Sequence, residues 1–145
     1  NLLSAGRIEE ANALLASPYH LTAPVLHGKA LGRTIGLPTI NQSFGSSRLI
    51  PKRGIYFTKT LVGGKAYPSV SNIGVRPTVE QGADVNLETN LIDFSGDLYG
   101  RTVTVEFYHF RREERRFDTV KELTGTIRAD RAAAAAYFEA REGDQ

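Results

Sequence analysis

The sequence predicts a mainly β domain, an antiparallel barrel or sandwich, flanked by a short helix at its start and a long helix at its end. Three observations carry this reading. Between residue 19 and about residue 108, brief runs rich in β-branched and aromatic residues alternate with turn signals, the spacing of an all-β fold. Residues 2–16 and the stretch after residue 118 instead repeat apolar side chains three and four apart, as helices do. At 145 residues the chain fits one domain, long enough to remove about two thirds of its unfolded surface from water.

The elements follow in order. Leu3, Ile8, Ala11, Leu14 and Leu15 give residues 2–16 a helical period that ends before Pro18, so this segment is expected to be a short connecting helix. The β-rich runs are LTAPVLHG, GIYFTKTLV, KAYPSVSNIGV, VNLETNLIDF and RTVTVEFYHF. Gly63 and Gly64 join two of them as a two-residue hairpin turn, and closure of the sheet would remove exposed strand edges. A final helix over about 119–141 starts at a capping box, Thr119 followed by Glu122. Its apolar stripe of Val120, Leu123, Ile127, Ala134 and Phe138 is expected to lie on the barrel. Gly125 weakens that helix by about 1 kcal/mol relative to alanine, and the alanine run at 132–136 offsets it through high helix propensity.

Composition narrows the function classes. The chain has no cysteine, so no disulfide staples it, which fits a reducing cytoplasm. With 18 basic against 16 acidic side chains, net charge gives no strong pull toward nucleic acid or anionic membrane. The opening NLLSAGRIEE has neither an initiating Met nor a long apolar run, so it reads as neither signal peptide nor membrane span, and the chain reads as part of something longer. Arg111, Arg112, Arg115 and Arg116 crowd into FRREERRF. They are expected to form a solvated turn neutralised by Glu113 and Glu114, with one or two arginines left to face an anionic ligand.

Two stretches carry candidate chemistry. In GKALGRTIGLPTIN, Gly28, Gly32 and Gly36 stand four apart and would let the backbone approach a bulky anion. Pro38 then favours extended chain, so Thr39 and Asn41, two apart, point their oxygens to one side. The pattern lacks the Gly-Lys-Ser/Thr of a Walker loop and the βαβ context of a Rossmann fingerprint. It reads either as a phosphate and metal site or as ordinary turn chemistry of a β protein. In NLETNLIDF, alternation sets Leu87, Thr89 and Leu91 on one face and Glu88, Asn90, Ile92 and Phe94 on the other. Glu88 among apolar neighbours is either a salt-bridged rim residue or a general base in a partly dry pocket. Asn72 and Gly74 read as a strand ending in a turn stiffened by Pro77, a structural part of the cavity floor, with Arg76 a weaker ligand candidate. His27 reads as a packing residue, and His20 and His109 lack metal-site spacing.

The order and spacing of GKALGRTIGLPTIN, SNIGVRPT, LETNLIDFSGDLYGR and RREERRF followed by a helix resemble the riboflavin kinase domain at the C-terminus of bacterial bifunctional FAD synthetases. The likeness covers nearly the whole chain, and GRIEEANALLASPY resembles the segment joining that domain to its adenylyltransferase partner. It implies a closed antiparallel six-stranded Greek-key barrel, with residues 1–18 as helical connector and residues 19–145 as the kinase domain: barrel about 19–110, loop 109–117, final helix about 119–141. The implied reaction moves the γ-phosphoryl group of ATP to the ribityl 5′-hydroxyl of riboflavin, giving FMN and ADP in the cytoplasm. The implied partners are small molecules and an FMN adenylyltransferase domain preceding this one, with no nucleic acid or membrane.

The same resemblance assigns residues. Thr39 and Asn41 fall on the Thr and Asn that coordinate the magnesium of the nucleotide, a role their neutral oxygens suit. Gly28, Gly32, Arg33 and Gly36 fall in the stretch that wraps the phosphates, and Glu88 falls on the catalytic base. Arg112 aligns with an arginine in a loop that closes over the flavin, and Phe117 with the final helix is expected to line the isoalloxazine ring. The chain departs from the family pattern at Ala23 and Pro24, at Ile40 where the signature has alanine, at Asn90 where a histidine is usual, and at Arg111 where an aliphatic residue is usual. Ile40 should point away from the metal, and none of the departures removes a catalytic group. Two other classes are compatible with a β-barrel: a flavin-binding module with little kinase activity, and a small basic barrel that binds nucleic acid. The second is weakened because Tyr56 and Phe57 are adjacent and so face opposite ways.

Overall fold

Six antiparallel strands make up the body of the protein in a computed structural model that describes residues 2–15, 17–26, 38–45, 49–78 and 82–143. They are β1 (His20–Pro24), β2 (Thr39–Ser43), β3 (Gly54–Val62), β4 (Lys65–Thr78), β5 (Gly82–Leu91) and β6 (Thr102–Arg112). All belong to one sheet in the order β1-β6-β3-β4-β5-β2. Helix α1 (Ile8–Leu14) precedes the sheet and helix α2 (Val120–Gly143) follows it. Thr39 to Ser43, expected only as extended chain after Pro38, forms a full strand because β5 pairs with it residue for residue.

The sheet curls until β1 and β2 face each other, which makes a nearly closed barrel. Two features span the remaining seam. Leu26 N–H donates to the Asn41 carbonyl at 2.7 Å. The buried Gln42 amide donates from β2 to the Ala23 carbonyl of β1 and to the Val103 carbonyl of β6, both at 2.9 Å. Sheet edges that would otherwise expose unpaired backbone are satisfied in this way.

β3 and β4 meet at Gly63 and Gly64, whose φ values of +56° and +82° are those of a type I′ hairpin turn. The alternation along β3 and β5 sorts side chains between the barrel interior and its outer wall. Inside, Tyr56, Ile73, Leu87, Val105 and Phe107 fill one end, and Ile40, Leu91, Leu98 and Val103 fill the other. Between them runs a buried ladder of hydroxyls: Thr60 to Ser69, Ser69 to Thr58, Thr58 to Ser71 and Ser71 to Thr89, at 2.7–2.9 Å. Each hydroxyl of this ladder thus has a partner, as a low-dielectric interior requires.

Both helices differ in detail from the sequence pattern. Residues 2–6 form turns, and Gly6 at φ +78° breaks the expected 2–16 helix so that α1 begins only at Ile8. Ile8 and Ala11 are buried, Ile8 within the interior cluster, whereas Leu14 is 80% exposed. Asn12 ties α1 to the barrel by donating to the Phe107 carbonyl at 2.7 Å. At α2, the Thr119 hydroxyl accepts from Glu122 N–H at 3.1 Å, the expected cap. Ala134 and Phe138 bury against Ile55, Phe57, Val70 and Ile92 on the outer wall. Val120, expected in that stripe, is 58% exposed because it stands on the first residue of the helix. No helix among the described residues is long and apolar enough to cross a membrane.

Candidate active site

The pleat of β5 decides where the chemistry lies. Leu87, Thr89 and Leu91 are fully buried inside the barrel, which turns Glu88 and Asn90 to the outer wall. On β2, Ile40 and Gln42 are buried and Thr39 and Asn41 are turned the same outward way. Ile40 therefore points into the core, away from the two candidate ligands, as the spacing predicts. The register then sets Thr39 opposite Asn90 and Asn41 opposite Glu88. Directly opposed residues of antiparallel strands bring their Cβ atoms to about 5 Å, so these four polar side chains form one patch.

A hydrogen bond fixes part of it. Asn90 Nδ2 donates to Thr39 Oγ1 at 3.2 Å. On its other side Asn90 Oδ1 accepts from the Arg131 guanidinium, which also donates to the Leu91 carbonyl at 2.7 Å. Partial burial lowers the pKa of Arg131, while Asp93 acts the other way. Asn90 thus couples the Thr39 hydroxyl to helix α2.

Helix α2 supplies the facing wall. Between it and the barrel lies a cleft of about 140 Å³. Thr39, Glu88, Asn90 and Asn72 line the barrel side, Leu123, Ile127 and Asp130 the helix side, and Arg112, Glu114 and Phe117 the end. Thr39, Glu88, Arg112 and Phe117, named from the sequence, therefore share one cleft, and Asn41 stands beside it across from Glu88. Gly28, Gly32, Arg33 and Gly36 lie outside the described residues, as do His27 and the Arg76 side chain.

Arg112 differs from its expected setting in a loop: it is the last residue of β6. A glycine at the start of β3 allows the two strands to meet there. A Cβ on Gly54 would lie 2.7 Å from the Arg112 carbonyl oxygen, and Gly54 sits at φ +142°, a backbone that side chains rarely adopt. From this anchored position Arg112 reaches Asp130, with Nη2 2.8 Å from Oδ2. The Asp130 side chain is only 4% exposed, and Arg111 Nε lies 3.4 Å from its other oxygen. A buried carboxylate needs such partners to remain charged.

The arginine-rich turn is neutralised differently from the sequence expectation. Glu113 and Glu114 turn back to the chain before β3, Glu113 to Lys52 at 2.9 Å and Glu114 to Arg53 at 3.6 Å. The hydrogen bond and charge of Lys52 hold the Glu113 carboxyl below its usual range. Arg111 and Arg112 are matched instead by Asp130, and Arg115 stacks on Phe117 at 5.2 Å. These ion pairs were invisible in the sequence because each joins segments far apart along the chain. One signal was present for Asp130: it occupies the inward position between Ile127 and Ala134 in an otherwise apolar stripe.

The arrangement can hold a polar substrate against a carboxylate, with the apolar side chains of Leu123 and Ile127 along the helix side and the Arg112 cation at the end. Among the described residues no cluster of three His, Cys, Asp or Glu side chains is arranged to hold a metal by itself. Thr39 and Asn41 offer neutral oxygens, the donor set from which a magnesium ion that keeps phosphate and water ligands takes one or two protein contacts.

The family model for flavokinase, riboflavin kinase, matches residues 15–138. A bifunctional riboflavin kinase/FMN adenylyltransferase from Bacillus subtilis is 41% identical over 138 residues, covering 94% of this chain and 44% of the relative. The protein of the same description from Pseudomonas fluorescens is 43% identical over 136 residues, covering 94% and 43%. The chain spans less than half the length of these curated relatives. A crystal structure described as a macrolide-efflux protein from Streptococcus pneumoniae matches with a TM-score of 0.85 at 31% identity, over 92% of this chain and 44% of that one.

Proposed function

The chain belongs to the flavokinase (riboflavin kinase) family, and from that membership and the make-up of the cleft we propose that it phosphorylates riboflavin at the ribityl 5′-hydroxyl, using ATP and releasing FMN and ADP. The observation that carries this reading is the gathering of Thr39, Glu88, Arg112 and Phe117 around one cleft between barrel and helix. Four residues from three distant sequence motifs meet there.

Glu88 accepts the proton of the 5′-hydroxyl as that oxygen bonds to the γ-phosphorus and the bond from the γ-phosphorus to the oxygen bridging to the β-phosphate breaks. A primary alcohol is scarcely ionised at neutral pH, so a positioned base contributes about 10²–10⁴-fold. Thr39 and Asn41 would hold Mg²⁺, which when bound supplies positive charge to offset that on the phosphoryl group. Arg112, oriented by Asp130, steadies phosphate or flavin at the end of the cleft. Phe117, Leu123 and Ile127 offer the flat, apolar surface that an isoalloxazine ring requires. The stretch holding Gly28, Gly32, Arg33 and Gly36 wraps the phosphates of ATP.

The nearly closed sheet order is consistent with a Greek-key barrel that spans residues 19–145 with its final helix, residues 1–18 acting as a connector. The length and description of the relatives support an FMN adenylyltransferase domain ahead of this one in a longer parent protein. Incubation of the chain with riboflavin, ATP and Mg²⁺, followed by chromatography, tests the reading. FMN appearing in proportion to protein is the expected result. Riboflavin retained without FMN would instead mark a flavin-binding module.

A further inference from the structure

Asn72 stands on β4 directly opposite Glu88 of β5, and the two line the same cleft. In the sequence it reads as a structural residue of the cavity floor. A structural asparagine in a sheet spends its amide on neighbouring backbone or side chains, because a buried polar atom without a partner is destabilising. Asn72 does not conform: its Oδ1 is buried and has no hydrogen-bond partner.

The surroundings explain what is missing. A Cβ on Gly74, one pleat further along β4, would be in van der Waals contact with the Glu114 carboxylate at 3.7 Å and with Asn72 Oδ1 at 4.0 Å, so the bare glycine leaves both oxygens uncovered. Both of these oxygens are acceptors, and Glu88 contributes a third acceptor group on the neighbouring strand. A wall of acceptors calls for a ligand rich in donors. A polyol chain has that chemistry, since every hydroxyl carries one hydrogen to donate.

We propose that Asn72 is a specificity-determining contact for the acceptor substrate, its Oδ1 receiving a hydrogen bond from a secondary ribityl hydroxyl beside the one that Glu88 deprotonates. The proposal rests on the riboflavin kinase reading and adds a residue to it. Its physical content is that the orphaned acceptor is left unpaired in the free protein and is satisfied on binding. A site built this way discriminates strongly against an analogue that lacks the hydroxyl.

The test compares wild type with Asn72→Ala and Asn72→Ser, using fluorescence titration with riboflavin and with lumiflavin, which has the same ring system but no ribityl chain. Asn72→Ala is expected to weaken riboflavin binding about 10-fold or more while changing lumiflavin binding by less than about 2-fold. Asn72→Ser, which retains an acceptor oxygen, is expected to fall between. Thermal melting of the ligand-free Asn72→Ala chain should show no loss of stability, because the amide oxygen it removes had no partner. Equal weakening of both flavins, unchanged riboflavin binding, or failure of Asn72→Ala to fold would each overturn the proposal. Wild-type protein that binds no riboflavin would overturn the kinase reading itself, and this contact with it.

Discussion

Arg112 and Asp130 join the end of the last strand to the third turn of the final helix, Nη2 to Oδ2 at 2.8 Å. With Nη1 donating to the Glu113 carbonyl at 3.0 Å, the guanidinium plane is fixed before any ligand arrives. The Arg112 side chain is 22% exposed, so the pair is neither a screened surface contact nor a fully dry one. Asp130→Asn keeps the shape and removes the charge. It should cost about 2 kcal/mol, lowering the melting temperature by roughly 4–8 °C, and raise the KM of riboflavin or ATP about 10-fold. Melting curves and steady-state kinetics check this together. A lower melting temperature with both KM values unchanged would make the pair purely structural.

Asn90 holds the Thr39 hydroxyl on one side and the Arg131 guanidinium on the other. Asn90→Ala takes this hydrogen bond away from the proposed magnesium ligand without touching the ligand itself. The Mg²⁺ concentration for half-maximal activity should rise about 3–10-fold, since loss of an outer partner commonly costs 10–100-fold at tighter metal sites. Magnesium titrations of wild type, Asn90→Ala and Thr39→Ala decide it. Normal metal dependence in Asn90→Ala, with Thr39→Ala impaired, would show that Thr39 needs no such support.

How far the sequence could be read follows from the range of the interactions involved. Alternation along NLETNLIDF is local and sets Leu87 and Leu91 on one face and Glu88 on the other, whereas which face turns inward is decided by closure of the barrel. The cap at Thr119 and the turn at Gly63 and Gly64 are local too, and they stand where their residue types require. The meeting of Thr39 and Asn41 with Asn90 and Glu88 is visible only through family resemblance, because register across β2 and β5 depends on the whole barrel. Asp130, Arg131 and the Lys52 to Glu113 pair are contacts between distant segments and left no period to detect. Leu14 and Val120 misled for the opposite reason: an apolar residue at a helix end satisfies the period whether or not anything covers it.

Glu88→Gln tests the proposed base with the least disturbance to shape. The amide cannot take the hydroxyl proton at neutral pH, so kcat should fall about 10²-fold or more. Nucleotide binding, measured by calorimetry, should remain within about 2-fold of wild type. Thr39→Ala and Asn41→Ala make the contrasting pair, with a raised Mg²⁺ requirement as their first defect. Turnover in Glu88→Gln equal to wild type would remove this carboxylate from the mechanism and leave it as a rim residue.

Gly54 is a positioning residue for Arg112 through backbone contact alone. Alanine there would bring its Cβ to 2.7 Å from both the Arg112 carbonyl oxygen and the Phe110 ring, at a φ of +142° that already disfavours a side chain. The strands must part or the ring must move. Gly54→Ala should therefore cost about 3 kcal/mol, or roughly 6–12 °C in melting temperature, and raise the KM of riboflavin as Arg112 shifts from Asp130. Gly45→Ala is the matched control. Its φ of +59° is also left-handed, yet a Cβ there meets nothing within 4 Å, so only the conformational cost of about 1 kcal/mol applies. Equal melting temperatures for the two variants would show that the β3 and β6 ends adjust freely and that Gly54 does not hold Arg112 in place.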